Sequence, residues 1–213
     1  AYQLRAFQNT GAAFAGGWDA FNLGRDPATR TLQVAYHGFF GANIYTLDVA
    51  DLDGDGYLDI VTGDGYEGDF QVMAWQNSGT PFDGRLWEAT TVGLGPWWPP
   101  DPWLPSSVFA VTIADLNQDG LPDIVSGRGL NNDFRYEVVY WENSGTPFGA
   151  TIQDTYWIQH NLGDPGSNVI GLVVADLDGD GDLDVSAVAD GDSGVWAWEH
   201  RGGSVSLDVA SVA

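Results

Sequence analysis

An aspartate-rich nonapeptide that occurs three times constrains this chain more than any other feature. It reads DLDGDGYLD at 51–59, DLNQDGLPD at 115–123 and DLDGDGDLD at 176–184. Each copy follows a Val-Ala or Ile-Ala pair and runs at once into Ile60, Ile124 or Val185. Oxygen ligands at alternate positions, a glycine for a sharp turn and a last carboxylate closing the loop are what a hard cation such as calcium needs. Three copies in phase mean a repeat protein whose architecture is tied to that ion. The reading without an ion, three plain Asp-Gly turns, does not account for the shared phase.

A second motif keeps step with the first. The segments YQLRAFQNTGAAF (2–14), FQVMAWQNSGTPF (70–82), YEVVYWENSGTPF (136–148) and the weaker SGVWAWEHRGGSV (193–205) align on Phe7, Trp75, Trp141 and Trp198. Asn9, Asn77 and Asn143 follow two residues later, then Gly11, Gly79 and Gly145. Alternation that ends in an Asn-Ser-Gly turn reads as a strand. A third element starts at Trp18, Trp87 and Trp157, with Gly24, Gly93 and Gly163 six positions on. One unit is therefore strand, Asp loop, strand, turn, aromatic strand, turn, Trp strand. Four antiparallel strands in about 60 residues is the size of a propeller blade.

Composition agrees with an all-β chain. Among 213 residues there are 29 Gly and 10 Trp, which favour strands and tight turns. The net charge of -23 excludes a nucleic-acid binder working through phosphate contacts and argues against docking on anionic membranes. Twelve of the 30 acidic residues lie in the three loops. There is no cysteine, so metal sites rather than disulfides would do the stapling. All seven basic residues are Arg, for which we have no physical account. No run approaches the roughly 18 apolar residues of a membrane span, so membrane insertion is not expected. The start at Ala1 fits a secreted protein after signal cleavage, and equally a trimmed chain.

The segments ADLDGDGYLDIVTG, ADLNQDGLPDIVSG and ADLDGDGDLDVSAV, with the W-x-N-S-G-T-P-F segments beside them, resemble FG-GAP/VCBS repeats. These are the calcium-binding blades of integrin-α-type β-propellers and of many secreted microbial proteins. The resemblance covers nearly the whole chain and implies one domain over 1–213: blades at about 43–93, 107–163 and 168–211, after a half blade at 2–24. It also implies about three Ca2+ ions, one per loop. Asp51, Asp53, Asp55, Asp59 and the Tyr57 carbonyl would hold the first. Asp115, Asn117, Asp119, Asp123 and the Leu121 carbonyl would hold the second. Asp176, Asp178, Asp180, Asp184 and the Asp182 carbonyl would hold the third. The second loop carries neutral Asn117, and Gln118 where the others have Gly54 and Gly179, so it should bind more weakly. These are not EF-hands: a strand follows position nine and no bidentate Glu stands at position twelve.

A half blade leaves strand edges that template association, and head-to-tail contacts that do not close make filaments. Against this, residues 25–42 could supply the missing strands and close a small propeller. In GPWWPPDPWLPSS (95–107), Trp97, Trp98 and Trp103 are candidates for a subunit interface or for stacking on sugar rings. Trp75, Trp141 and Trp198 read as packing between blades rather than ligand contacts. No catalytic constellation stands out. His37, His160 and His200 lack a metal spacing, there is no G-x-S-x-G, and Glu67, Asp69, Asp133 and Asp154 read as turn or solvated charge. No N-x-S/T sequon occurs.

The expectation is a secreted or cell-surface, calcium-stabilised structural protein, not an enzyme, that forms homo-oligomers and extends to a filament or surface layer. The alternative is a lectin-like adhesive propeller that binds glycans or cell-surface ligands as a monomer or closed oligomer.

Overall fold

Strands and turns account for all the regular structure in the described residues of this computed structural model, which are 4–10, 18–23, 43–65, 71–85, 87–94, 106–130, 138–148, 157–190, 194–200 and 208–212. The half blade is an antiparallel pair, β1 (Arg5–Asn9) with β2 (Trp18–Asn22). The first blade runs β3 (Asn43–Ala50), β4 (Asp59–Gly65), β5 (Gln71–Gln76) and β6 (Glu88–Leu94). The second runs β7 (Ser106–Ala114), β8 (Asp123–Leu130), β9 (Val138–Asn143) and β10 (Trp157–Gly163). The third runs β11 (Val169–Ala175), β12 (Asp184–Ala189), β13 (Val195–Glu199) and β14 (Asp208–Val212). In each blade successive strands pair antiparallel. The described residues thus form an all-β array of three four-stranded blades and a two-stranded half blade, in line with the sequence reading. One further bridge, Gly65 with Ser107, joins the first two blades.

The same irregularity recurs in each first strand. Register shifts between Ile44 and Thr46, between Val108 and Ala110, and between Val169 and Gly171. A bulge adds local twist, and it turns Tyr45 against Phe109 across the first two blades, with ring centroids 5.0 Å apart. Among the described residues no helix is long and apolar enough to cross a membrane.

A blade is buried on both faces, so both sets of its alternating side chains can be apolar. Three buried clusters fill the three joints between neighbouring units. Leu4 and Leu23 of the half blade meet Met73 and Trp75 of the first blade. Leu52, Val61, Val72 and Ala74 of the first blade meet Ile124, Val139, Trp141 and Trp157 of the second. Leu116, Val125, Val138 and Tyr140 of the second meet Val185, Ala187 and Trp198 of the third. In every joint the third-strand tryptophan points back onto the preceding unit. Two of these indoles are satisfied: Trp75 Nε1 donates to Thr62 at 3.0 Å and Trp141 Nε1 to Ser126 at 2.9 Å. The matching residue of the third blade is Ala187, and Trp198 Nε1 has no acceptor among the described residues.

The forward faces of the first two blades are flattened by a glycine. A Cβ on Gly63 would lie 2.6 Å from Val108 Cγ1 and 2.9 Å from the Val108 carbonyl. A Cβ on Gly127 would run into the Val169 side chain, 2.8 Å from its Cβ. Here glycine admits the first strand of the next blade. The segment with Trp97, Trp98 and Trp103, residues 25–42, and Glu67, Asp69, Asp133 and Asp154 lie outside the described residues.

Gly127→Ala should therefore force the second and third blades apart and destabilise the fold by about 1–3 kcal/mol, the usual cost of overpacking. Gly171→Ala, whose Cβ would find Val188 only at 4.0 Å, should be near neutral. Urea midpoints compare the two, and equal midpoints would contradict this account of the joint.

Candidate metal centres

Each Asp loop closes on itself through its own carboxylates. Asp51 Oδ2 accepts from Gly56 N at 2.9 Å, Asp115 Oδ2 from Gly120 N at 2.9 Å and Asp176 Oδ2 from Gly181 N at 3.2 Å. The donors are glycines at positive φ, 91°, 91° and 97°, where a side chain would be strained. At position five, Asp55, Asp119 and Asp180 each accept the N–H two residues on, from Tyr57, Leu121 and Asp182. These Asx turns hold the loop in a shape that leaves other carboxylate oxygens pointing inward.

The ninth aspartate has a larger part. Asp59 accepts from Leu52 N at 3.0 Å and from Asn77 N at 2.8 Å. Asp123 accepts from Leu116 N at 3.0 Å, Asn143 N at 2.9 Å and the Tyr140 hydroxyl at 3.1 Å. Asp184 accepts from Leu177 N and His200 N, both at 2.9 Å. All three carboxylates are buried. Each ties the start of its loop to the end of the third strand.

Two loops gather carboxylates tightly enough for a cation. Ligand atoms of Asp51, Asp53 and Asp59 lie within 4.8 Å of one another, as do those of Asp176, Asp178 and Asp184. Asp55 and Asp180 stand outside these three-membered groups, bonded to Tyr57 N and Asp182 N. The second loop forms no such group among the described residues. Its third position is Asn117, whose amide donates to Asp119 at 3.2 Å, so a neutral donor takes the place of the third carboxylate. Three carboxylates so close repel one another, most strongly at the buried Asp59 and Asp184. Asp51 Oδ1 is buried and has no hydrogen-bond partner among the described residues. Oxygen donors without His or Cys suit calcium or magnesium rather than a transition metal. The donor set and the orphaned oxygen fit a hard divalent cation.

Burial pushes the Asp59 carboxyl up to about 6. The N–H groups of Asn77 and Leu52 oppose the shift, and the charges of Asp53 and Asp55 add to it. Burial likewise pushes Asp123 up to about 6 against its own N–H partners.

Two connections between loops were not visible in the sequence. Gln118, at φ 60° where the other loops have glycine, donates from Nε2 to the Gly181 carbonyl at 2.8 Å and to Asp182 Oδ1 at 3.2 Å. Asn143 Nδ2 donates to the Leu52 carbonyl at 3.0 Å and to the Pro122 carbonyl at 3.1 Å. The loops are thus linked in series, first to second by Asn143 and second to third by Gln118. In the sequence, Gln118 was only a departure from the motif and Asn143 only a turn former.

The FG-GAP-like repeat model matches the chain twice, over residues 51–126 and 115–187, each match starting on the first aspartate of a loop. No curated protein and no solved structure matches the chain.

A pH dependence follows from the raised carboxyls. Their folded values lie above the ordinary one, so in chelator the fold favours the protonated acids. That contribution is full at about pH 4 and is lost as pH rises through about 6. The melting temperature in chelator should fall from about pH 4 to about pH 7, and saturating calcium should flatten or invert this slope. Thermal melts across pH, with and without calcium, read it directly. A melting temperature in chelator that climbs over this interval would contradict the assignment.

Proposed function

The chain belongs to the FG-GAP-like repeat family, and on that premise we propose that it is a calcium-stabilised extracellular structural protein that self-associates. Repeats of this family commonly bind calcium and are typical of extracellular and surface proteins, structural or adhesive rather than enzymatic. The observation that carries the calcium reading is the pair of carboxylate groups at Asp51, Asp53, Asp59 and at Asp176, Asp178, Asp184, the first with a buried oxygen lacking a partner. The ion holds the hairpin between the first two strands of a blade and offsets charge that the fold has drawn together. Its role is architectural, because the carboxylates that would hold it also bond the loop's own backbone.

Self-association is supported by the shape of the array. Blades stack through apolar faces, and among the described residues the outward faces of the half blade and of the third blade carry large apolar side chains exposed to solvent, Phe7 at 57 % and Leu177 at 53 %. Exposed apolar surface of this kind marks a contact.

Calorimetric titration should find two equivalent calcium sites with dissociation constants of order 10⁻⁴–10⁻³ M, the second loop filling only at higher calcium. At calcium about 100-fold above that constant, each site should add about 2.7 kcal/mol of stability. Asp53→Ala and Asp178→Ala should each remove one site and part of the gain. A melting temperature that EDTA does not move would end the calcium reading.

Particle size in millimolar calcium, by light scattering and electron microscopy, decides between polymer and single chain. Extended polymers are expected. Discrete monomers that bind a glycan array would support the adhesive reading instead.

A further inference from the structure

The two joints between full blades share one pattern, and the outward faces of the third blade and of the half blade each carry one half of it. On its forward face a blade presents the leucine at the second loop position and the first valine of the third strand. In the first blade these are Leu52 and Val72, in the second Leu116 and Val138, all buried in the joint. Their counterparts in the third blade are Leu177 and Val195, and they are 53 % and 50 % exposed. Val173, which shares a face with Ser186 across the β11–β12 pair, is 57 % exposed beside them. On its backward face a unit presents the third-strand aromatic and the tryptophan of the fourth strand, buried as Trp141 and Trp157 in the second blade. In the half blade the counterparts are Phe7 and Trp18, and they are 57 % and 48 % exposed. Both faces are exposed in the same chain, so they do not cover each other.

We propose that the Phe7–Trp18 face of the half blade docks on the Val173–Leu177–Val195 face of the third blade in a second copy of this chain. The contact repeats the internal joint and propagates head to tail. It rests on the self-association reading above and names the surfaces that carry it. Where Gly63 and Gly127 face Val108 and Val169 of the next blade's first strand, the third blade has Val188, 45 % exposed, which adds a further apolar side chain to this face. A heterologous contact of this kind generates an open polymer when its rotation does not close.

The test uses the full chain with calcium. Phe7→Asp spoils one face, and Val188→Asp with Val195→Asp spoils the other. These side chains are exposed in the single chain, so each variant should keep the wild-type melting temperature and sediment as a monomer. Mixed together, the two variants still hold one good face each, and a one-to-one dimer should form that grows no further. As a second measurement, Phe7→Cys mixed with Val195→Cys should cross-link one to one on oxidation, since the chain has no other cysteine. A wild type that polymerises while the variants polymerise equally and the cysteines fail to link would overturn this joint and leave self-association standing. A wild type that stays monomeric at all calcium concentrations would overturn both.

Discussion

Asp59, Asp123 and Asp184 each accept two main-chain N–H groups from opposite sides of a blade. One donor opens the Asp loop and the other ends the third strand. A buried carboxylate is tolerated only when such donors surround it, so the loop and the strand must be in place together. That one constraint sets the length of the loop, the exit of the third strand and the position of the tryptophan just before it. It also concentrates negative charge beside Asp51 and Asp53 or beside Asp176 and Asp178, the donor set that a hard cation would need. The staple and the carboxylate cluster are one piece of chemistry.

The second organising fact is direction. Every joint is asymmetric: a third-strand tryptophan points back in all three, and in the two joints between full blades a glycine-flattened surface faces forward. Because each unit presents unlike faces, the stack has a head and a tail. Polar links cross the same joints: Thr46 and Asp48 of the first blade accept from Val111 N and Ile113 N of the second, Asn143 of the second reaches back to the first loop, and Gln118 of the second loop reaches into the third. A repeat that contacts only its neighbours gains stability joint by joint, and its end units keep the apolar faces that inner units bury.

Much of this was legible in the residues. The nonapeptide marked each hairpin, the aromatic alternation marked the third strand, and the Trp-to-Gly spacing marked the fourth. The weaker second loop could be read from Asn117. The second partner of the ninth aspartate was hidden. It lies 18 residues on in the first blade, 20 in the second and 16 in the third, because the turn between strands varies, and no fixed spacing announces it. Gln118 was equally opaque, since its acceptors sit 63 and 64 residues away in another loop.

By itself the sequence determined the unit: an all-β blade, its strand order, its Asp loop and the threefold repeat of that loop. Those properties are local, written in alternation, in turn residues and in ligands a few positions apart. Only the tertiary structure decided which face of each blade is covered. Leu52, Leu116 and Leu177 occupy the same place in three near-identical motifs, yet two are buried and the third stands in water. Leu52 and Leu116 have the next blade packed on them and Leu177 has no such neighbour among the described residues, so burial depends on the neighbour rather than on the residue.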